Sequence, residues 1–139
     1  MALRIERLAG HHQRGGFDCG DADLNQFLNQ QAGQLARKSF CKTYVAVDDD
    51  GVAVLGFVSV SVGQAQTAQL SPQLKLPRYP APILRIGRLV GDKTQQGQGI
   101  GQRLMAFALQ MAQEFSQRVG LYAVVVDAKN EKACEFYTA

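Results

Sequence analysis

The chain of 139 residues is 46% hydrophobic and 19% charged, with a formal net charge of +3, which is typical of one soluble globular domain spanning residues 1–139. It contains no apolar run of about 18 residues that could span a membrane, and its first residues lack the apolar region of a secretory signal. Its three scattered cysteines, Cys19, Cys41 and Cys134, favour a reducing cytoplasm over a disulfide framework or a zinc site.

The N-terminal segment predicts a strand followed by a helix. Leu3–Leu8 alternates apolar and charged residues in the manner of a half-buried strand. His11 and His12 fall in the turn-rich connection that follows, and as neighbours they cannot share one face of a helix or strand. Asp21 or Asp23 can cap the next helix, whose apolar face consists of Leu24, Phe27, Leu28 and Leu35.

Two β-rich runs, Phe40–Val47 and Val52–Val62, predict an antiparallel hairpin. Asp48–Gly51 joins them, and its acids and glycine suit a tight turn better than a metal site. Gln64–Pro82 then becomes rich in proline, so we expect it to form mostly a loop. A loop of this size in a compact domain usually has a function.

The second half predicts a strand, a long helix, a further strand and a short helix. Ile83–Val90 and Leu121–Val126 are apolar and rich in β-formers. Strand, helix, strand in this spacing predicts a crossover that joins parallel strands. Asn130–Tyr137 begins with a good capping residue and predicts the short helix. The long helix ends at about Val119, and its apolar face consists of Ile100, Leu104, Phe107, Ala108, Met111 and Phe115.

The stretch Gln96-Gly97-Gln98-Gly99-Ile100-Gly101 lies between the predicted strand and the long helix. Glycines at this position let a ligand approach the backbone closely. A helix N-terminus offers unpaired N–H groups and about half a positive charge, so an anion such as a phosphate is the expected ligand. The spacing does not fit the dinucleotide-binding G-x-G-x-x-G pattern, and Gly101-Gln102 does not fit the Gly-Lys-Ser/Thr end of a P-loop. A glycine-rich turn without a ligand is the alternative.

This stretch resembles the Q/R-x-x-G-x-G/A acetyl-CoA signature of the GNAT acetyltransferase superfamily, with Gln96, Gly99 and Gly101 on the pattern positions. Asn130–Tyr137 is similar to the family's second motif, N-x-x-A-x-x-F-Y. The resemblance implies an α/β (α+β) fold with a mixed, mostly antiparallel central sheet, and acetyl-CoA as the cofactor. The cofactor-binding residues that it implies are Leu89, Val90, Gly91, Gln96, Gly97, Gln98, Gly99, Ile100, Gly101, Gln102 and Asn130.

A narrower resemblance points to the aminoacyl-tRNA acetylating toxins of toxin–antitoxin pairs. It rests on Phe17–Gly20 followed by Leu24–Leu28, and on Arg88-Leu89 followed by Asp92. It implies an aminoacyl-tRNA acceptor, a cognate antitoxin and a homodimer. Two features depart from this branch: Gly91 replaces a β-branched residue, and the chain stops at Ala139, before the C-terminal strands that the family carries.

Acetyl transfer to an amine needs a thioester held beside the nucleophile, donors for the oxyanion and an acid for the departing thiolate. The resemblance assigns the first two tasks to backbone amides around Leu89–Gly91. It assigns the third to Tyr137, whose reference pKa of about 10 lies above the roughly 8.5 of a thiol. The predicted strand carries no Glu, and Asp92 and Asp127 sit at strand ends where capping or turn roles are equally suitable. The general base is therefore not identified.

A site without a dedicated carboxylate base suits an amine of low pKa. An α-amino group, with a pKa of about 8, is already partly neutral near neutral pH, whereas a lysine, with a pKa of about 10.4, is not. Lys75–Arg103 is strongly basic, and we predict that Arg78 and Arg88 within it contact the acceptor. The alternatives are a small-molecule or protein amine N-acetyltransferase and a truncated module that binds coenzyme A without turnover.

Overall fold

The computed structural model describes residues 3–65, 80–95, 97–127 and 134–138, the last of these through the backbone. Its strands are β1 Arg4–Arg7, β2 Lys42–Val47, β3 Gly56–Ala65, β4 Ala81–Gly91, β5 Ala123–Asp127 and β6 Cys134–Thr138. They form one sheet of six strands in the order β1-β2-β3-β4-β5-β6. β4 and β5 run parallel and the other pairs are antiparallel, which confirms the predicted mixed, mostly antiparallel sheet.

The predicted helix before the hairpin is present, but a π-helical turn divides it. Asp21 caps it, because its side chain accepts the N–H groups of Asp23 and Leu24. No helix in the described part of the chain is long and apolar enough to cross a bilayer. The helical segments are α1 Ala22–Gln26, the π-helix Phe27–Gln31, α2 Ala32–Arg37, a 3-10 turn Lys93–Gln95 and α3 Ile100–Ser116.

Helices cover both faces of the sheet. Successive residues of a strand point to opposite faces, so each strand contributes apolar side chains to both layers. Along β2, Ala46 faces one layer while Val45 and Val47 face the other. The layer under α3 buries Ile100, Leu104, Ala108 and Ala112 against Ala46, Val58, Leu84 and Ile86. The layer under the divided helix buries Phe27, Leu28 and Ala32 against Val45, Val47 and Phe57.

The predicted hairpin is present, but its second strand starts later than expected. Gly51, with φ of +68°, completes the turn and donates its N–H to Asp48 O at 3.1 Å. Ladder pairing starts only where Gly56 meets Ala46. Within Val52–Leu55, Ala53 instead forms an isolated bridge with Gln13. The prediction that the strand begins at Val52 is therefore wrong, because this segment follows the N-terminal turn before it rejoins the sheet.

The prediction of a helix over Asn130–Tyr137 is wrong for its described part. Cys134–Thr138 forms β6, in which Phe136 pairs with Val125 and Tyr137 with Val124 of β5. Aromatic residues and threonine favour strands, and the outer edge of β5 offers unpaired backbone groups. Asn130 lies outside the described residues, as does most of the predicted loop, at 66–79.

Candidate active site

The C-terminal half of β4 separates from β5. The parallel ladder joins Ile83–Ile86 to β5, whereas pairing with β3 continues to Gly91. Just beyond the strand, the N–H of Asp92 points toward β3 and donates to Leu55 O at 2.7 Å. Because backbone groups alternate along a strand, the N–H groups of Gly91 and Leu89 point to the opposite side, where the ladder with β5 has ended. This edge of β4 therefore offers backbone donors.

Gly87 is the extra residue of a β-bulge in β4. The register shifts because Ser59 pairs with Arg88 while Val60 pairs with Ile86, which leaves Gly87 without an opposite residue. A bulge reverses the side-chain alternation beyond it and re-aims the following residues. Arg88 consequently faces the same cleft as Arg85, three positions earlier, although a regular strand would direct the two side chains to opposite faces.

The glycine-rich loop forms one wall of a cavity of about 420 Å³. Gly97 and Gly99 have φ of +86° and +75°, in the region that favours glycine. Gly99 precedes the first residue of α3, and no side chain of the described residues caps the helix there, so its first N–H groups are suited to an anion. The cavity is lined by Gly91, Gln95, Gly97, Gly99, Ile100, Gly101 and Gln102.

Six of the predicted cofactor residues therefore line one cavity. Leu89, Val90 and Gln98 are not among its lining residues. The side chains of Leu89 and Val90 pack on opposite faces of the sheet, so the contribution predicted for both is that of their backbone groups. Gln98 donates its N–H to Gln95 O at 3.2 Å within the loop. Gln96 lies outside the described residues, as does Asn130.

A second cavity, of about 510 Å³, lies between the divided helix and strands β3 and β4, and we call it the acceptor cleft. Within it, the guanidinium carbon of Arg88 lies 3.8 Å from the centre of the Phe27 ring, a cation–π geometry that fixes the direction of the charged group. The acceptor cleft is lined by Asp23, Leu24, Gln26, Phe27, Gln31, Cys41, Ser59, Ser61, Arg85, Gly87 and Arg88.

Of the two predicted substrate residues, the structure describes only Arg88. Arg88 lines the acceptor cleft, whereas Arg78 lies outside the described residues. The sequence interpretation did not assign Arg85 or Phe27 to this site. Gly87, between Arg85 and Arg88, could have indicated that the two arginines share a face, because an isolated glycine in a strand suggests a bulge. No comparable signal marks Phe27.

Asp92 is one of the two carboxylates considered for the base, and it accepts hydrogen bonds from two other residues of the chain. Its Oδ2 accepts the N–H of Asp18 at 3.0 Å, and its Oδ1 accepts the N–H and the hydroxyl of Thr94 at 2.9 and 2.7 Å. Burial alone would raise the pKa of Asp92, but these hydrogen bonds outweigh it, so the pKa lies below its ordinary value. A carboxylate of lowered pKa with several donors is a structural acceptor rather than a base.

The other predicted catalytic positions lie on β5 and β6. Tyr137 belongs to β6 opposite Val124 of β5, and Asp127 is the last residue of β5. Tyr137 therefore lies on the strand next to β5, and β4, which separates from β5, lies on the other side of β5. Its role as an acid remains a prediction.

Glu6, His11 and His12 form a cluster of potential metal ligands. Although adjacent, the two imidazoles converge, because the turn brings their ring centres within 4.1 Å. His12 Nδ1 accepts the N–H of Ala9 at 2.9 Å, so the ring proton is on Nε2 and is donated to Glu6 Oε1 at 2.7 Å. A metal on Nε2 would displace this proton, and a neutral ring would then carry it on Nδ1 and lose the hydrogen bond from Ala9, so the arrangement fits a hydrogen-bonded turn better than a metal site.

The chain matches the Acetyltransferase (GNAT) family over residues 8–139. It is 26% identical over 119 residues to the probable toxin TacT of Sinorhizobium fredii, which covers 84% of this chain and 66% of the relative. It is 26% identical over 123 residues to a tRNA-acetylating toxin of Mycobacterium tuberculosis, which covers 87% of this chain and 72% of the relative.

Solved structures with the same fold include AtaT in complex with acetyl-methionyl-tRNAfMet, with 31% identity and a TM-score of 0.85 over 94% of this chain and 80% of that one. They also include AtaTR bound with acetyl-CoA, with 31% identity and a TM-score of 0.79 over 94% and 80%. A third is an AtaT mutant bound to the C-terminus of the antitoxin AtaR, with 29% identity and a TM-score of 0.81 over 95% and 79%.

Proposed function

This chain belongs to the GNAT acetyltransferase family, and from that premise we propose that it transfers the acetyl group of acetyl-CoA to the α-amino group of an aminoacyl-tRNA. The relative named as a tRNA-acetylating toxin and the similarity to AtaT in complex with acetyl-methionyl-tRNA support this acceptor. The observation that carries the proposal is the position of the β4 end. Gly91 lines the glycine-loop cavity, while Gly87 and Arg88 line the acceptor cleft.

The glycine-loop cavity fits the pyrophosphate of coenzyme A. A Cβ at Gly97 would meet no atom of the described residues within 4 Å, and the φ values of Gly97 and Gly99 give a turn that other residues rarely adopt. The N-terminus of α3, which no described side chain caps, adds N–H donors and a partial positive charge. Backbone amides thus form the proposed anion site, which explains how a segment with few charged side chains can bind an anion.

The end of β4 is the proposed place of reaction. Bound acetyl-CoA would supply a thioester whose acyl carbon is attacked by the amine. The N–H groups of Leu89 and Gly91, which point away from β3, are suited to stabilise an oxyanion there. We assign Tyr137 as the proton donor to the departing thiolate. Because the reference pKa of tyrosine, about 10, lies above the roughly 8.5 of a thiol, this transfer is somewhat uphill and requires a direct hydrogen bond between the two groups.

The acceptor cleft suits an amine that carries phosphates nearby. Arg85 and Arg88 both line it, and among the described lining residues Asp23 is the single carboxylate. Since Asp92 is occupied by three hydrogen-bond donors, an acceptor that is already partly neutral suits the site. An α-amino group with a pKa of about 8 meets this requirement better than a lysine side chain.

The partners and location follow from the same proposal. The similarity to an AtaT mutant bound to the antitoxin AtaR supports a cognate antitoxin for this chain. We also propose a homodimer in the cytoplasm.

The test is acetylation of charged tRNA by the purified protein with labelled acetyl-CoA. Uncharged tRNA, polyamines and a lysine peptide are offered in parallel. The proposal predicts a labelled aminoacyl group on charged tRNA alone. Acetylation of a small amine or of the lysine peptide, with charged tRNA ignored, would replace it by a small-molecule or protein N-acetyltransferase. Binding of coenzyme A with no acetylation of any amine would favour the non-catalytic module.

A further inference from the structure

Asp92 connects two segments that are distant in sequence. It follows β4 and is only 8% exposed. One carboxylate oxygen holds the backbone N–H of Asp18, and the other holds Thr94 through both its N–H and its hydroxyl. A nearly buried carboxylate that accepts from three donors fixes the relative position of their two segments, because each charge-assisted bond is stronger than a neutral one.

Further hydrogen bonds strengthen the contact between these two segments, and in these Asp18 is the acceptor and Lys93 the donor. Asp18 O accepts the N–H of Lys93 at 2.8 Å, and Asp18 Oδ2 lies 2.9 Å from Lys93 Nζ. Asp18 Oδ1 accepts from the N–H of Gly20 at 2.9 Å and from Asn25 Nδ2 at 3.0 Å. Asn25 Oδ1 in turn accepts the N–H of Cys19 at 3.0 Å. The turn before α1 is thereby attached to the start of the 3-10 segment.

The two attached segments lead into the two cavities. Lys93–Gln95 runs directly toward the glycine loop, and Gln95 lines its cavity. The turn at 17–20 leads into α1 and the π-helix, which contribute Asp23 and Phe27 to the acceptor cleft. Asp92 thus touches the segments that enter both proposed binding sites, and it lines neither cavity itself.

We propose that Asp92 is a positioning residue that couples the two sites, so that a ligand in the glycine loop orders the turn at 17–20 and with it the acceptor cleft. This inference rests on the proposed function, since it takes the two cavities as cofactor and acceptor sites. The coupling is reciprocal, because an acceptor that orders the turn must raise the affinity for the cofactor by the same factor.

The structure indicates which variants separate coupling from stability. Asp92→Asn retains the size of the side chain, but one carboxylate oxygen becomes an NH₂ group that faces a donor, so at least one hydrogen bond is lost. Thr94→Val removes only the hydroxyl bond and serves if Asp92→Asn fails to fold. Asp50→Asn is the matched control, because Asp50 likewise accepts a backbone N–H, from Val52 at 2.8 Å, but in the β2–β3 connection.

The test is amide hydrogen exchange with and without coenzyme A, which needs no acceptor. In the wild type, coenzyme A should slow exchange at 97–102 and also at 17–20, the latter by about fivefold or more, as expected for ordinary coupling between sites. Asp92→Asn should retain protection at 97–102 and lose most of it at 17–20, and Thr94→Val should lose part of it. Asp50→Asn should behave as the wild type.

The outcomes keep the two proposals distinct. Unchanged exchange at 17–20 in the wild type, or full protection there in Asp92→Asn, would overturn the coupling. Protection at both segments together with no acetylation of charged tRNA would support the coupling and refute only the acceptor. Without protection at 97–102 in the wild type, both the coupling and the cofactor site would be wrong.

Discussion

The guanidinium carbon of Arg88 stands 3.8 Å above the centre of the Phe27 ring, which lies in the π-helical turn and is 2% exposed. Phe27→Leu should keep most of the apolar contact but free the charged group, since it removes the ring face. We expect the KM for charged tRNA to rise several-fold, with little change in the affinity for coenzyme A. Steady-state kinetics with each substrate varied measures this.

Leu28→Val is the matched control for this substitution. Leu28 lies in the same π-helical turn and the same buried cluster as Phe27, but it does not line the acceptor cleft. An equal effect of both substitutions on KM would indicate general loosening of the layer rather than loss of the Arg88 contact.

Coenzyme A should raise the thermal stability of the wild type, since a ligand selective for the native state stabilises it by about 2.7 kcal/mol at a hundredfold excess over Kd. Gly99→Val should abolish this shift, because a β-branched residue is strained at φ of +75° and its side chain would enter the anion site. Gly120→Val, at an open position without positive φ, is the control. A shift that survives in Gly99→Val would place the cofactor elsewhere.

The elements governed by local patterns were predictable from the sequence. The apolar spacing of α3 gave Ile100, Leu104 and Ala108 as its buried face, because helix period and burial coincide. The turn before β3 was predictable because Gly51 adopts a left-handed conformation that few other residues allow. The glycine-rich loop was predictable for the same reason, since Gly97 and Gly99 also have positive φ.

The features that depend on distant pairing were not predictable in this way. The strand β6 forms at the edge of β5, and nothing local in Cys134–Thr138 excludes a helix. The bulge at Gly87 is defined by its register with Ser59 and Val60 on β3. The acceptor cleft depends on this bulge, since it brings Arg85 and Arg88 to one side. For this reason the sequence indicated the lining of the glycine-loop cavity more completely than the lining of the acceptor cleft.

Tyr137→Phe tests the proposed acid. If the hydroxyl protonates the departing thiolate, kcat should fall by about 10² or more while the affinity for coenzyme A is retained, because general acid catalysis contributes roughly that factor. Tyr122→Phe removes a hydroxyl immediately before the neighbouring strand β5 and should leave kcat unchanged. Equal losses of binding and rate in Tyr137→Phe would point to a structural role.

The Asp18–Lys93 contact gives the fold an acid-sensitive component. The Lys93 ammonium, followed by the N–H of Gly20 and the Asn25 amide, lowers the pKa of Asp18 from 3.8 to about 2. A lowered pKa stabilises the native state above the unfolded value, and this contribution is lost as pH falls from about 4 to about 2. Urea unfolding at several pH values in this window measures the free energy of unfolding. This free energy should depend less on pH in Asp18→Asn than in the wild type. Asp49→Asn, in the exposed β2–β3 turn, is the control, and an identical reduction there would contradict the assignment.

The two arginines of the acceptor cleft should reveal the acceptor through its salt dependence. Contact with a phosphate releases counterions, so the logarithm of the affinity falls linearly with the logarithm of salt concentration, by about one unit of slope per contact. Arg85→Ala and Arg88→Ala should each weaken binding of charged tRNA and reduce that slope by about one, with the affinity for coenzyme A unchanged. Arg118→Ala removes the same charge from an exposed position beyond α3, outside the acceptor cleft, and should change neither quantity.

A slope that stays constant in both cleft variants would mean that the tRNA backbone is bound elsewhere. A small amine should show no comparable slope at all, so titration at several ionic strengths also separates the two classes of acceptor.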